Sequence, residues 1–355
     1  MFLNLVAPIN QLGYGVVGLN VLKSAVEAGH TVSYFPIGNP TWDSEISFLG
    51  KCIENAKMFM SGAPSIRIWH QNDLAMFPGC GERIGWPIFE LNKFTQVERN
   101  HLESVDRLFV CSQWAKDVLQ AEGIRTKVDV VSLGVDGSIF YIDEQARANR
   151  AYWTTKKTVF LNVGKWEVRK GHNDLLEAFN IAFAPGDNVE LWMLNHNPFI
   201  GVENENWKTR YVASPMSAHI KLLPRVNSQA ELRTIYNVVD YGVFPARAEG
   251  WNLEPLELMA CGIPSIVTNY SGHTEFCDAA NSYLVEPNGM ESAQDGKWFT
   301  GQGEWCTFEI DALVDAMRAA HDDKQSGENG RRQACLDTAQ KFNWSNTVKR
   351  IEEVL

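Results

Sequence analysis

The sequence contains no apolar run approaching the ~20 residues that a helix needs to cross a bilayer. It has no C-x-x-C pair, and its seven cysteines (52, 80, 111, 261, 277, 306 and 335) are scattered. That excludes a zinc ribbon or a disulfide framework and suits a reducing cytoplasm. No basic stretch precedes the first apolar segment, so no secretory signal is expected. Positive charge is in the minority: 32 Lys and Arg stand against 43 Asp and Glu, a net charge of −11. Broad binding to nucleic acid or an anionic membrane is disfavoured, although a local basic cleft is not. There is no low-complexity segment and no internal repeat.

What is present reads as α/β. A chain of 355 residues, 45% hydrophobic and 21% charged, suits two globular domains. Short apolar runs alternate with helical periodicity: strands at 1–9, 31–35, 66–69, 107–111 and 128–131, then again at 159–163, 189–194, 219–223, 240–244, 264–268 and 282–285. The polar segment 143–156 interrupts the pattern and is read as the linker. Residues 1–150 and 156–340 are then two Rossmann-like domains with parallel sheets, facing one another across a deep cleft. A last helix, 343–355, is expected to pack back on the first domain. The glycine-rich segment 288–306 reads as an irregular surface insertion. Ligands of open α/β sheets sit beyond the carboxyl ends of the strands, so the chemistry belongs on the loops that follow them.

Residues 8–20 (PINQLGYGVVGLN) carry Gly13-x-Gly15-x-x-Gly18 after the first strand and before a helix over 16–28. That spacing is the dinucleotide fingerprint. The acid that would hold the ribose at the end of the second strand is missing: 36–40 reads PIGNP. NAD binding is therefore disfavoured. A tight turn with no ligand, or a loop that lets backbone N–H groups approach another phosphate, remains open.

The densest chemistry lies in 241–264 (YGVFPARAEGWNLEPLELMACGIP). A strand ends at Pro245, a loop carries Glu249 and Gly250, and Asn252 reads as an N-cap. A short helix holding Glu257 then stops at Gly262 and Pro264. N–H groups at such a helix start bind an anion without a metal, and carboxylates beside it suit hydroxyls. This string resembles the signature of the retaining GT-B glycosyltransferases of family 4 (glycosyl transferases group 1), P-S-x-x-E-G-F-G-x-x-x-x-E-A-M-A-x-G-x-P. Pro245, Glu249, Gly250, Glu257, Met259, Ala260, Gly262 and Pro264 are in register. Trp251, Asn252 and Leu258 depart from it, and the first two bear on the size and polarity of the donor-sugar pocket.

Residues 162–172 (NVGKWEVRKGH) place Gly164 and then Lys165, Arg169 and Lys170 after a strand, which reads as a phosphate clamp and is similar to the same family's glycine–cation loop. His70 follows the strand in 65–73 (SIRIWHQND), where the family has a histidine that touches the donor sugar. Residues 109–116 (FVCSQWAK) and 131–140 (VSLGVDGSIF) also look like family segments.

The resemblance implies transfer of a sugar from a UDP- or GDP-linked donor, with retention, no metal and no other cofactor. No Asp-x-Asp, the usual metal ligand of the other major glycosyltransferase fold, occurs in the chain. His70, Glu249, Lys165 and Lys170 are the implied catalytic residues. Gly13, Gly15, Gly164, Arg169, Gly250, Trp251, Asn252, Leu253 and Glu257 would bind the donor, with Glu257 on the ribose and Glu249 on the sugar. The acceptor is expected to be a glycan or a small soluble molecule. The N-terminal segment also resembles glycosyltransferases carried by tailed viruses, which keeps a hydroxymethylated DNA base as an alternative acceptor. A sugar-nucleotide epimerase and a non-catalytic sugar-nucleotide binding protein are the alternatives of another class.

Overall fold

The computed structural model describes residues 1–42, 46–148, 157–327 and 330–355. The chain forms two compact units, Met1–Asp136 with Phe342–Leu355, and Gly137–Lys341. The change of unit thus precedes the 143–156 segment in which the sequence places a linker; 149–156 lie outside the described residues.

The first unit runs β1 (Phe2–Ala7), α1 (Gly13–Glu27), β2 (Thr31–Pro36), α2 (Leu49–Lys57), β3 (Ser65–Ile68), β4 (Arg83–Trp86), α3 (Gln96–Glu103), β5 (Arg107–Val110), α4 (Gln113–Ala121) and β6 (Lys127–Val130). Its six-stranded parallel sheet has the order β2-β1-β3-β4-β5-β6. β1 is buried on both faces, which is why it is apolar without alternation. Ser112 caps α4 as its sequence position predicts, its hydroxyl accepting from Ala115 N–H at 3.2 Å. The C-terminal helix (Trp344–Val354, α11 below) belongs to this unit and packs on α1.

The second unit runs β7 (Thr158–Gly164), α5 (His172–Ala182), β8 (Val189–Asn195), α6 (Glu203–Val212), β9 (Ile220–Leu222), α7 (Gln229–Tyr236), β10 (Tyr241–Phe244), α8 (Leu253–Ala260), β11 (Ser265–Thr268), β12 (Ser282–Val285), a hairpin of β13 (Gly289–Gln294) and β14 (Thr300–Thr307), α9 (Ile310–Ser326) and α10 (Arg331–Lys341). The sheet order is β12-β11-β10-β7-β8-β9, all parallel. Phe160, Leu191, Val243 and Ile266 from its strands pack on Leu175 and Phe179 of α5 and Leu313 and Met317 of α9.

Each order reverses once. In the first unit it reverses between β1 and β3, and in the second between β7 and β10. Loops leaving neighbouring strands there turn to opposite faces and open a crevice. The crevice loops are 8–12 and 69–73 in the first unit, and 165–171 and 245–252 in the second.

Three details correct the sequence reading. The first helix begins at Gly13, so Gly13 and Gly15 lie inside its opening turn rather than in the loop before it. β4 was not anticipated; only four residues long, with arginine and glycine among them, it shows neither alternation nor an apolar run. And 288–306 is not irregular: it contains the antiparallel hairpin, pinned where Glu291 accepts from Trp305 Nε1 at 2.8 Å.

Gly171 opens α5 with φ = 69°, and a Cβ there would stand 2.1 Å from the carbonyl oxygen of Pro245. Both crevice loops therefore depend on it. Gly171→Ala is expected to cost at least about 2 kcal/mol in a urea unfolding titration, from the left-handed backbone plus the clash. A loss under about 0.5 kcal/mol, the range of an ordinary surface change, would show that the loops separate freely.

Candidate active site

The two crevice loops of the second unit are joined by charge. Lys165 Nζ lies 2.6 Å from Glu167 Oε1, and the Arg169 guanidinium lies 2.9 Å from Glu167 Oε2. The same guanidinium reaches Glu249 Oε2 at 2.8 Å, and Lys170 Nζ reaches Glu249 Oε1 at 2.8 Å. Glu249 is thus held on both oxygens by consecutive cations of the other loop. Arg169 also donates to the carbonyl of Ala248 and sits over the Phe299 ring of the hairpin. Burial pushes the Glu249 and Glu167 carboxyls up, but the cations outweigh it and hold both below the usual carboxylate range. Burial alone would lower Lys170; Glu249 and Glu254 more than reverse this and keep it charged.

Access differs among the cations. The Lys165 side chain is 38% exposed, those of Lys170 and Arg169 only 11% and 4%. Lys165 is the one an incoming anion meets first. Gly164, at the end of β7, has φ = 136° and packs beside Lys170 and Glu254. Under the loop, His172 meets the Glu167 main chain and the Asn162 side chain. Burial, aided by Lys170, brings its pKa down to about 3, so it is a neutral brace.

The 249–252 loop is fastened to the turn at 271–273. Glu249 N–H donates to Ser271 Oγ at 2.8 Å, and Gly272 N–H donates to the Glu249 carbonyl at 2.9 Å. Gly250 is buried against Gly272. Asn252 does not cap α8 with its side chain, as its sequence position had predicted; its φ of 76° turns the side chain away. Its Nδ2 donates instead to His273 Nε2 at 2.9 Å, while His273 Nδ1 donates to the Thr268 carbonyl at 3.0 Å. The N-terminus of α8, beginning at Leu253, is left without a side-chain cap. Asn252 and Ser271 are two of three non-glycine residues with positive φ among the described residues. Strain of that kind collects at functional loops. The indole of Trp251 is buried against Phe276 at 4.8 Å, so it serves the core rather than a pocket wall.

Glu257 lies one turn into α8 and is buried, its Oε2 accepting from Tyr236 OH at 3.0 Å. Burial, with Glu254 nearby, pushes its carboxyl up to about 8. In the first unit the corresponding crevice holds His70, which is exposed and lies against the Tyr14 ring at 4.7 Å. Tyr14 stands between Gly13 and Gly15, with its hydroxyl bonded to the Ile88 main chain. Gly15 and Gly18 are packed hard against Asn10 and Pro8, whereas Gly13 faces open space. Two of the three fingerprint glycines therefore serve the seating of α1 on its own loop.

Sequence reasoning did not assign Glu167, Tyr236, Ser271 or His273. Glu167 was legible as an acid among three cations. The others reach the site from distant segments and carried no local signal. A cavity of about 800 Å³ lies at the opposite, amino-terminal end of β10–β12, but its ions are paired with each other, Lys324 with Asp240 and Arg331 with Asp323. Among the described residues no group of three or more His, Cys, Asp or Glu is placed to hold a metal, and no helix is long and apolar enough to cross a membrane.

Comparison with known proteins places this arrangement. The family model described as glycosyl transferases group 1 matches residues 144–297. Within that stretch the chain is similar to the family. The glycosyltransferase CapM of capsular polysaccharide biosynthesis in Staphylococcus aureus is 25% identical over 190 residues, 52% of this chain and 46% of its own. A GDP-mannose-dependent monoacylated phosphatidylinositol monomannoside mannosyltransferase of Corynebacterium glutamicum is 24% identical over 227 residues, 61% of this chain and 57% of its own. The chain thus spans about half the length of these curated relatives. Two solved structures share the fold end to end: sucrose-phosphate synthase from Thermosynechococcus elongatus (TM-score 0.75, 15% identity, 100% and 98% of the two chains) and Anabaena HepE in complex with UDP and glucose (TM-score 0.71, 13% identity, 99% and 98%). The fold that the chain shares with them is α/β of the GT-B type, two Rossmann-like units.

Proposed function

We propose that this protein transfers a sugar from a UDP- or GDP-linked donor to an acceptor hydroxyl, retaining the anomeric configuration and using no metal ion. One observation carries the reading. Beside the uncapped start of α8, consecutive buried cations grip Glu249 on both oxygens while Lys165 stays reachable. Glu167, Glu249 and Glu254 balance the three cations, so an arriving diphosphate is met by the exposed Lys165 and by the α8 N–H groups rather than by an excess of charge. The UDP and glucose bound to HepE and the GDP-mannose for which the mannosyltransferase is named are of the same chemical kind.

In this reading Lys165, Lys170 and the α8 N–H groups from Leu253 onward meet the charge developing on the leaving diphosphate. Arg169 holds Glu249 and Glu167 in place. Glu249 accepts from hydroxyls of the transferred sugar, and Glu257 from those of the ribose. Of the first-unit residues, His70 is assigned to the sugar and Gly13 to the phosphates, while Gly15, packed against Asn10, seats α1 instead. The acceptor oxygen bonds to the anomeric carbon on the face from which the phosphate oxygen departs. That phosphate oxygen takes the acceptor's proton, so the products are a glycoside and a nucleoside diphosphate. No other cofactor takes part. The acceptor is a glycan or a small hydroxylated molecule, and the cytoplasm is the compartment.

Lys165→Met is the cleanest test, because the lysine is half-exposed and Glu167 keeps its bond to Arg169. Transfer or donor hydrolysis with EDTA present is expected to fall by about 10²-fold in kcat/KM, with the melting temperature unchanged. Full activity in this variant, and in Lys170→Ala, would remove the diphosphate clamp. Loss of wild-type activity in EDTA would remove the metal-free mechanism.

A further inference from the structure

We propose that Tyr236 is a positioning residue for the donor's ribose: its hydroxyl holds one carboxylate oxygen of Glu257 so that the other is presented to the ribose diol. The inference rests on the reading of Glu257 given above. Tyr236 is the last residue of α7, its side chain wholly buried and its ring 5.7 Å from Phe140. The following residue, Asn237, ties this end of the helix down. Its Oδ1 accepts from Asp143 N–H at 2.8 Å, and its Nδ2 donates to the Tyr141 carbonyl at 3.0 Å. The hydroxyl is therefore delivered from a fixed ring on a fixed helix end.

Its acceptor is Glu257 Oε2, at 3.0 Å. Burial holds the Tyr236 phenol well above its ordinary pKa, so the hydroxyl keeps its proton and acts as a donor. Oε1 of Glu257 forms no hydrogen bond or ion pair within the described residues and is not among the enclosed polar atoms. A glutamate in mid-helix has three side-chain torsions, and without a partner it samples several rotamers. Tyr236 removes that freedom before the ligand arrives. What remains is one oriented oxygen, which accepts from a vicinal diol once the carboxyl gives up the proton it holds when the site is empty, and which repels a phosphate. A site built around a hydroxyl rejects the analogue that lacks it, because its buried polar group is then left unpaired.

The test measures discrimination between ribose and deoxyribose in the full chain. UDP, GDP and their 2′-deoxy analogues are titrated by calorimetry into wild type, Tyr236→Phe and Glu257→Gln. Wild type is expected to prefer the ribonucleotide by about tenfold or more. Tyr236→Phe keeps the ring packing and is expected to lower that ratio about threefold to tenfold by weakening ribonucleotide binding alone. Affinity for the deoxy analogue, which reports on the diphosphate loop and on folding, stays within about twofold. An unchanged ratio in Tyr236→Phe, with the ratio lost in Glu257→Gln, overturns the role of Tyr236. If the ratio survives in Glu257→Gln, Glu257 does not hold the ribose and the proposal falls with that reading. If neither nucleotide binds wild type, the function proposed above falls first.

The pH profile gives a second readout. Glu257 is faced by Glu254 and by Tyr236, and it acts on the thiol of Cys261; Glu254 raises its pKa and Tyr236 lowers it. Loss of the Tyr236 hydroxyl therefore moves the pH at which ribonucleotide binding weakens upward, whereas a purely structural loss leaves it in place.

Discussion

Replacing Glu249 by alanine is expected to lower the unfolding free energy by about 3–5 kcal/mol and to abolish transfer. Two buried cations lose a partner at once. Arg169 keeps Glu167 at 2.9 Å, but Lys170 is left with no carboxylate at ion-pair distance. An uncompensated ammonium in a site this enclosed costs far more than the pair contributes when intact. The effect is therefore asymmetric. Glu249→Gln/Lys170→Met, which removes both charges and keeps the volume, is expected to recover most of the loss. Urea titrations of the two variants measure this. A loss below about 1 kcal/mol in Glu249→Ala would mean that water reaches Lys170. The acid limb gives the same answer by another route. Glu249, Glu167 and Glu190 all have folded pKa values below the unfolded one, Glu190 at about 2 beside Lys157 and Lys221. Their stabilisation is complete above the unfolded value, near pH 4.5, and is lost as pH falls below it. Glu249→Ala is expected to flatten that limb.

The alternation of strands and helices was legible because parallel strands buried on both faces are apolar throughout, as in VFLNV before the 165–171 loop. From alternation followed two parallel sheets, and from parallel sheets the rule that ligands lie at the carboxyl ends. That placement, together with the resemblance to the family signature, is what singled out Lys165, Arg169, Lys170 and Glu249. Their mutual arrangement was not legible. The sequence reads the cations as waiting for a phosphate, whereas Arg169 and Lys170 already share a carboxylate 80 and 79 positions on. Pairing across such a separation leaves no periodic trace. Asn252 failed in a more instructive way. Residue type and position both favoured a cap, but a φ of 76° and the His273 ring 21 residues later redirected the side chain. That choice leaves the helix start uncapped and points the amide into the turn that carries Ser271. Local propensity was overridden at a helix start whose N–H groups are thereby left without a side-chain cap.

The opposite pH dependence is expected at Glu257. Its folded pKa, pushed up to about 8 chiefly by burial and then by Glu254, lies above the unfolded value. Between about pH 4.5 and pH 8 the folded state therefore holds a proton that the unfolded state has released. Stability contributed here is intact at the acid end, falls as pH rises through that window and levels off above it. Glu257→Gln, which cannot ionise, is expected to match wild type near pH 5 and to exceed it by a few kcal/mol near pH 9. A bound ribose changes the balance. Its hydroxyls donate to the charged carboxylate, which favours ionisation. At pH 7 nucleotide binding is then expected to release close to one proton. Titrations of UDP or GDP in buffers of different ionisation enthalpy count it directly. The apparent binding enthalpy varies with buffer in wild type and not in Glu257→Gln. A wild-type enthalpy independent of buffer would mean that Glu257 keeps its proton in the complex, and that the ribose is met by a neutral acid or by another group.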